Sequence, residues 1–158
     1  MIRQLLLAAT TAALALSAPA HAADPIRIGV ALSQTGNLAD SAAPYFKGLD
    51  LWREQANARG GLADHPIEFV VYDDRSDPAT AARLYEKLIT NDKVNLVMSS
   101  LGSATAATGS AVAEKHKVIM INGGGAAEAI QQRGFKYVFQ TAARISSYAD
   151  GMVPMIDK

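Results

Sequence analysis

The chain has 158 residues and contains no cysteine, which excludes thiol catalysis and disulfide bonds. Its 15 basic and 15 acidic residues form no basic patch, and this argues against a nucleic-acid partner. Apolar residues make up 49% of the chain, which is too large a fraction for a disordered protein.

The N-terminus has the pattern of a secretory signal peptide. Arg3 supplies a positive charge, an almost unbroken apolar run covers 5–18, and residues 20–22 form a small-x-small triplet. The run is shorter than the roughly 20 residues that a membrane span needs. An N-terminal anchor or a buried helix is the less favoured alternative. We expect cleavage before Ala23, an extracytoplasmic location, and a mature chain of 136 residues, enough for one domain with its own core.

Strand and helix patterns alternate along the mature chain. Apolar stretches bounded by turn residues predict strands at 26–32, 66–72, 94–98, 117–122 and 137–139. Helical spacing and end signals predict helices at 44–58, 78–90, 103–115, 126–132 and from 146 to the end. The strands are too apolar to be half exposed, so the prediction is an α/β fold with a parallel sheet and helices on both faces. Trp52 and Tyr85 lie on helical apolar stripes and are predicted to be core residues.

Three loops at the predicted carboxyl edge of the sheet are candidates for a site, because ligands of open α/β sheets bind there. They cover 33–43, 99–105 and 122–127. The second loop places hydroxyls and backbone N–H groups at a helix N-terminus, and the third contains Gly123-Gly124-Gly125, which a ligand can approach closely. Such an arrangement suits an anion such as a carboxylate without a formal positive charge.

Other interpretations of these residues stay open at this point. Serine and glycine at strand–helix junctions are ordinary capping and turn residues. Gly102-Ser103 is similar to a nucleophile elbow, but no histidine is expected near it to act as a base, so an enzyme such as a small α/β hydrolase is disfavoured. Asp73, Asp74 and Asp77 could form a calcium loop, although a solvated turn with a helix cap is favoured.

Five stretches in order resemble the periplasmic substrate-binding proteins of ABC transporters, in the branched-chain amino acid binding group. They are IRIGVALSQTG, the KG…REQANARGGL segment, VVYDDRSDP, LGSATAAT and GGGAAEAIQQRGFKYVFQTA, at 26–36, 47–62, 70–78, 101–108 and 123–142. The resemblance covers essentially the whole mature chain. It implies the type I periplasmic binding fold, in which two α/β lobes joined by a hinge close around a ligand.

The resemblance also implies a function and partners. The chain would capture an amino acid or a similar small carboxylate or amide in the periplasm and deliver it to ABC transporter permease subunits. We also expect no cofactor, no bound metal, no membrane span and no catalytic residue, because no later segment is apolar enough to span a bilayer and no titratable pair lies at the predicted strand ends. A ligand-sensing domain of a receptor is the alternative, because the same fold serves receptors.

Family contacts with the ligand carry over onto three places in this sequence. Ser103 matches the serine whose hydroxyl and N–H hold the ligand carboxylate, and Leu101 and Gly102 lead into it. Gly125 and Ala126 match an alanine–threonine pair, and Gly124 precedes them in the same loop. Ser41 matches a bulky aromatic residue that covers the side-chain pocket.

The sequence departs from the family pattern at several of these positions. Ala126 lacks the threonine hydroxyl, Ser41 leaves more room than an aromatic residue, and the family disulfide maps to Ser76 and Gly102. These departures weaken the expectation of leucine, isoleucine or valine as the ligand.

The resemblance also predicts the domain organisation. Residues 1–22 would be the signal peptide, 23–141 the N-terminal ligand-binding lobe, and 142–158 the hinge crossing and the start of a second lobe. We therefore expect the sequence to be a fragment, and we expect this chain alone to bind its ligand weakly or not at all, because half of a clamp buries too little of a ligand.

Overall fold

The structure of the chain is a computed structural model that describes residues 23–148. The predicted signal peptide and residues 149–158, which include most of the predicted final helix, lie outside the described residues. None of the described helices is long and apolar enough to cross a bilayer.

Strands and helices alternate as predicted. The strands are β1 (Ile26–Leu32), β2 (Ile67–Asp73), β3 (Leu96–Met98), β4 (Met120–Asn122) and β5 (Val138–Gln140). The helices are α1 (Ala39–Ala58), α2 (Pro78–Thr90), α3 (Ser103–His116) and α4 (Glu128–Gln131), and a 3-10 turn follows at Ile145–Tyr148. The five strands form one sheet in the order β2-β1-β3-β4-β5, and every neighbouring pair is parallel. The predicted parallel α/β fold is thus confirmed.

Helix α1 begins five residues before the predicted start at residue 44. The N–H of Leu38 donates a hydrogen bond to the Ser76 hydroxyl, and its carbonyl accepts from the N–H of Ala42. Pro44 lies inside the helix, where it removes one backbone donor. The tertiary contact with Ser76 fixes the helix start in spite of this proline, and Ser41 consequently lies on a helix and not in a loop.

The core on one face of the sheet is formed by α2 and α3. Tyr85 and Leu88 of α2 pack against Val97 of β3 and Met120 of β4, and all four side chains are fully buried. The Tyr85 hydroxyl donates a hydrogen bond to the Met98 carbonyl at 2.7 Å. The prediction that Tyr85 is a core residue is confirmed.

The opposite face of the sheet is covered by α1. Ala56 and Ala42 of this helix pack over Ile28 and Val30 of β1. Toward β3 and β4 the same face opens into an apolar groove of about 440 Å³, lined by Ile28, Leu49, Trp52, Leu62, Leu96, Met98, Ile119 and Ile121.

The prediction that Trp52 is a core residue is wrong, because 40% of its surface is exposed. Its ring packs at one edge against Phe69, with 6.4 Å between the ring centroids. Trp52 also lines the groove, over which the described part of the chain places no second helix.

Gly109 gives a direct test of the packing between α2 and α3. A Cβ at this position would overlap the Tyr85 ring and lie 3.1 Å from the Met120 methyl carbon. We expect Gly109→Ala to lower the free energy of unfolding by about 1–3 kcal/mol, because the buried ring has no room to move. Urea denaturation measures this loss.

Gly48→Ala is the matched control in α1, since a Cβ at Gly48 meets nothing within 4 Å. This change should raise stability by about 0.5–1 kcal/mol through helix propensity alone. Equal effects of the two substitutions would contradict the described contact between Gly109 and Tyr85.

Candidate functional site

The strand order determines where a crevice forms. The chain moves outward from β1 to β2, and then returns to place β3, β4 and β5 on the other side of β1. The loops after β1 and β3 therefore leave the sheet in opposite directions, and ligands of such sheets bind at this switch point beyond the carboxyl ends of the strands. The three loops that the sequence singled out all lie at this edge.

Backbone and serine contacts join the loops after β3 and β4. The Ser99 hydroxyl accepts the N–H of Gly124 at 2.9 Å, and the carbonyl of Gly124 accepts the N–H of Gly102 at 3.0 Å. The Ser103 hydroxyl accepts the N–H of Ala127 at 3.1 Å. Three of the predicted site residues, Gly102, Ser103 and Gly124, are thereby brought together, and Ala126 is the chain neighbour of Ala127.

Helix α3 begins without a side-chain cap. Its N-cap is Gly102, which has a φ of 95° and offers no side chain to the first turn. A Cβ at Gly102 would also lie 2.8 Å from the Leu38 Cδ1 atom. Gly102 thus occupies the N-cap position as a turn residue, as the capping interpretation expects, but α3 has no side-chain cap. The first-turn N–H groups of an uncapped helix, beginning with that of Ser103, can bind an anion.

Gly124 and Gly125 serve close packing inside the protein. A Cβ at Gly124 would overlap the Ser100 carbonyl, and a Cβ at Gly125 would lie 2.6 Å from the Ala106 Cβ. Gly125 is buried, and both of its backbone polar groups bond to the Asn122 side chain at 2.9 Å. Ala126 is more exposed than Gly125, and no described residue accepts a hydrogen bond from its N–H.

A buried carboxylate joins the ends of three strands. Asp74 is fully buried directly after β2 and accepts the Ser33 hydroxyl at 2.7 Å, the N–H of Ser76 at 2.9 Å and the Ser100 hydroxyl. The sequence predicted a solvated turn here, and for Asp74 this is wrong because the hydroxyls of Ser33 and Ser100, in the loops after β1 and β3, close over it. Asp77 caps α2 as predicted, accepting the N–H of Thr80 at 2.7 Å.

Asp73 holds the loop between β1 and α1. It accepts the N–H groups of Gln34, Thr35 and Arg75 and the Thr35 hydroxyl, at 2.7–3.1 Å. Burial opposes ionisation of Asp73, but the hydrogen bonds from these residues outweigh it, and the pKa of Asp73 lies below its usual value. Asp73, Asp74 and Asp77 therefore have separate partners, and residues 23–148 contain no group of three or more His, Asp or Glu residues that could hold a metal ion.

Helix α1 contributes Tyr45 to this edge, a residue that the sequence analysis missed. The Tyr45 hydroxyl lies 3.4 Å from the Ser99 carbonyl, whereas the Ser41 side chain is exposed and makes no hydrogen bond with the described residues. Leu101 packs into the apolar cluster of Val30 and Leu32. Because helix residues four apart share a face, an earlier helix start at residue 39 would have indicated Tyr45 beside Ser41.

Comparisons with known sequences identify relatives along the whole described chain. A family model described as periplasmic binding protein matches residues 25–158. The leucine-specific-binding protein of Salmonella typhimurium is 31% identical over 135 residues, which are 85% of this chain and 36% of that protein. The leucine-, isoleucine-, valine-, threonine- and alanine-binding protein of Pseudomonas aeruginosa is 33% identical over 76% of this chain and 32% of its own length. The chain thus spans about a third of these relatives.

Solved structures share the same fold. A branched-chain amino acid transporter substrate binding protein from Streptococcus pneumoniae, in complex with isoleucine, has a TM-score of 0.72 and 30% identity over 77% of this chain and 34% of its own. A solute binding protein of an ABC transporter from Rhodopseudomonas palustris, in complex with 3,4-dihydroxy benzoic acid, has a TM-score of 0.69 and 25% identity over 77% of this chain and 32% of its own.

Removal of the buried carboxylate should destabilise the fold. We expect Asp74→Ala to lower the free energy of unfolding by about 2–3 kcal/mol, because two buried hydroxyls and one N–H lose a charged acceptor. Asp74→Asn retains one acceptor oxygen and should cost less. Asp24→Ala, at an exposed position, is the control and should stay within about 0.5 kcal/mol of the parent. Urea denaturation at pH 7 distinguishes these outcomes, and an unaffected Asp74→Ala variant would refute the described network.

The lowered pKa of Asp73 predicts a pH dependence. A carboxyl group whose pKa is lower in the folded than in the unfolded protein stabilises the fold at pH values above its unfolded pKa of about 3.9. This stabilisation is lost as the pH falls through the pKa of the group in the folded protein. The stability difference between the parent and Asp73→Asn should therefore be constant near neutral pH and shrink below about pH 4. Urea denaturation from pH 7 to 3 measures it, and a difference that persists unchanged at pH 3 would contradict the assignment.

Proposed function

The chain belongs to the periplasmic binding protein family, and from this premise we propose that it is the ligand-binding lobe of an extracytoplasmic solute-binding protein. It captures an amino acid or a similar small carboxylate for an ABC-type importer. Within this proposal, residues 1–22 are a signal peptide cleaved before Ala23, residues 23–141 form the lobe, and residues 142–158 lead through a hinge toward a second lobe. Permease subunits of the importer are the partners.

One observation carries the proposal: α3 starts without a side-chain cap, beside a loop of three glycines. The N–H of Ser103 and its neighbours face the crevice edge with the positive end of the helix dipole behind them. A carboxylate is the group that such donors bind best in the absence of a basic side chain. Leucine, isoleucine and 3,4-dihydroxy benzoic acid, named for the relatives, have a carboxylate in common.

The proposed roles of the site residues follow from their surroundings. Ser103 binds the carboxylate with its N–H and hydroxyl, and the N–H of Ala126 is a second donor. Gly102 and Gly124 hold the two loops together through the hydrogen bond between them, and Leu101 forms an apolar wall. Gly125 acts indirectly, since its packing against Ala106 fixes the position of Ala126.

Ser41 has a smaller role in this proposal than the resemblance implied. It is exposed on α1 and short, so it widens the entrance and provides no cover. The lobe supplies one wall of the site, and a ligand on one wall keeps much of its surface in water. Weak binding by the lobe alone is the consequence.

A titration of residues 23–158 followed by amide NMR tests the proposal. We expect L-leucine to bind with millimolar affinity and to shift the amide signals of Ser103, Ala104 and Ala126, whereas L-leucinamide, which lacks the carboxylate, should cause no such shifts. Ser103→Ala should weaken leucine binding at least about 10-fold, because a hydrogen bond to a charged group contributes about 1.5–3 kcal/mol and 1.4 kcal/mol is tenfold.

Thr90→Ala removes a hydroxyl at the opposite edge of the sheet and is the matched control. It should leave the titration unchanged. Equal shifts with leucine and leucinamide, or shifts confined to other loops, would refute a carboxylate site at α3. Benzoate serves as a second carboxylate probe, so that the test does not depend on one side chain.

A further inference from the structure

The peptide group between Ala126 and Ala127 makes a hydrogen bond on each side. Its N–H, which belongs to Ala127, donates to the Ser103 hydroxyl at 3.1 Å. Its carbonyl, which belongs to Ala126, accepts the N–H of Ile145 at 3.0 Å. Because a peptide group is planar and rigid, a change at one of these bonds is felt at the other. The serine to which we assign the ligand carboxylate is therefore connected through one rigid group to the segment that follows β5.

Residues 143–148, here called the exit segment, are held to the lobe by hydrogen bonds more than by packing. The large side chains of this segment, Ile145 and Tyr148, remain 56% and 62% exposed. Besides the bond from Ile145 to Ala126, the N–H of Ser146 donates to the Glu128 carboxylate at 2.8 Å. Among the described residues, no further hydrogen bond joins the exit segment to the rest of the lobe. Its position therefore depends on these two bonds.

Glu128, in the first turn of α4, supplies a charged acceptor for the second bond. Hydrogen bonds from Ser146 hold the pKa of Glu128 below its usual value, and the positive charge of Arg144 acts in the same direction. The carboxylate is therefore ionised at neutral pH, and bonds to an ionised acceptor are stronger than bonds to a neutral one. Ser146 lies in the 3-10 turn Ile145–Tyr148, whose first N–H groups have no partner inside the turn. Glu128 thus anchors the start of this turn.

The Ser103 hydroxyl has one bond to this arrangement and one free proton. It accepts the N–H of Ala127, so its own O–H proton remains available to a further acceptor. A ligand carboxylate in front of α3 is the acceptor that the proposed function assigns to it. Hydrogen bonds then run in series from the exit segment through the peptide group and the hydroxyl to the ligand, and bonds in such a series polarise and strengthen one another.

We propose that Glu128 is a positioning residue for ligand binding, which holds the exit segment at Ser146 and thereby orients the Ser103 hydroxyl. This role rests on the proposed function and deepens it. Loss of the carboxylate frees the exposed exit segment, so that the N–H of Ile145 bonds to the Ala126 carbonyl for less of the time and the hydroxyl is less well oriented. By thermodynamic linkage, a carboxylate bound to Ser103 stabilises the attached exit segment by the same factor.

Amide hydrogen exchange of residues 23–158 tests the contact without a ligand. We expect Glu128→Ala to speed exchange of the Ser146 N–H about 2- to 10-fold, the effect of one net hydrogen bond. Glu128→Gln keeps a neutral carbonyl oxygen as acceptor and should have a smaller effect. Glu114→Ala is the matched control, because the Glu114 carboxylate accepts the N–H groups of Lys136 and Tyr137 at the opposite edge of the sheet. It should leave the exchange of Ser146 unchanged.

Titrations with L-leucine followed by amide NMR test the positioning role. We expect Glu128→Ala to weaken leucine binding about 2- to 5-fold, a usual effect for residues that act on a site without touching the ligand. Glu128→Gln should weaken it less, and Glu114→Ala should leave it unchanged. Saturating leucine should in turn slow the exchange of Ser146 by a similar factor in the parent protein, and this slowing should be absent in Glu128→Ala.

A double variant distinguishes a positioning role from general destabilisation. Ser146→Pro removes the N–H that Glu128 accepts, while the Glu128 side chain stays in place. If Glu128 acts through the exit segment, adding Glu128→Ala to Ser146→Pro should weaken leucine binding no further, whereas the effects of independent residues would add.

The outcomes separate the positioning role from the proposed function. Unchanged leucine affinity in Glu128→Ala, or a loss that adds in full to that of Ser146→Pro, would overturn the role of Glu128 and leave the carboxylate site intact. Unchanged exchange of Ser146 in Glu128→Ala would overturn the contact on which the role depends. Failure of the parent protein to bind both leucine and benzoate would overturn the carboxylate site and the role of Glu128 together.

Discussion

The geometry of the candidate site depends on the buried carboxylate of Asp74. A parallel sheet has no hairpins that join its strand ends, so the loops beyond them are positioned only by non-covalent contacts. Asp74 accepts hydroxyls from the ends of β1 and β3 and an N–H from its own loop. A buried carboxylate is costly without such partners, so these three loops cannot separate without a large penalty. The width of the crevice at the switch point is set in this way.

The triple-glycine loop packs closely against its neighbours at all three glycines. Gly124 and Gly125 permit the backbone of this loop to touch the β3 loop and α3, where the N–H of Ala127 donates to the Ser103 hydroxyl. At Gly123 a Cβ would lie 3.3 Å from the Tyr45 hydroxyl and 3.4 Å from the Thr141 hydroxyl. The loop is thereby held against β3, α3 and α1 at the carboxyl edge of the sheet.

The exposed aromatic residues lie on the face of the sheet that α1 covers only in part. Helix α1 covers β2 and β1, and beyond it Ile119, directly before β4, and Phe139 on β5 remain 45% and 50% exposed. Trp52 lies at the border between the covered and the open part. Its place on the apolar stripe of α1 correctly predicted that Trp52 faces the sheet. How much of the ring is buried depends on how far the helix layer extends over the sheet.

The sequence by itself determined the order of the elements, the parallel α/β class and the three loops at one edge, because periodicity, caps and turn residues act over a few positions. It also identified Ser103 and the glycines from their local pattern and family resemblance. Only the tertiary structure decided that α1 begins at Ala39, that Asp74 is buried, and that Tyr45 reaches Gly123. Each of these depends on a contact between residues about 38 to 78 positions apart, such as Leu38 with Ser76, and no local pattern encodes such a contact.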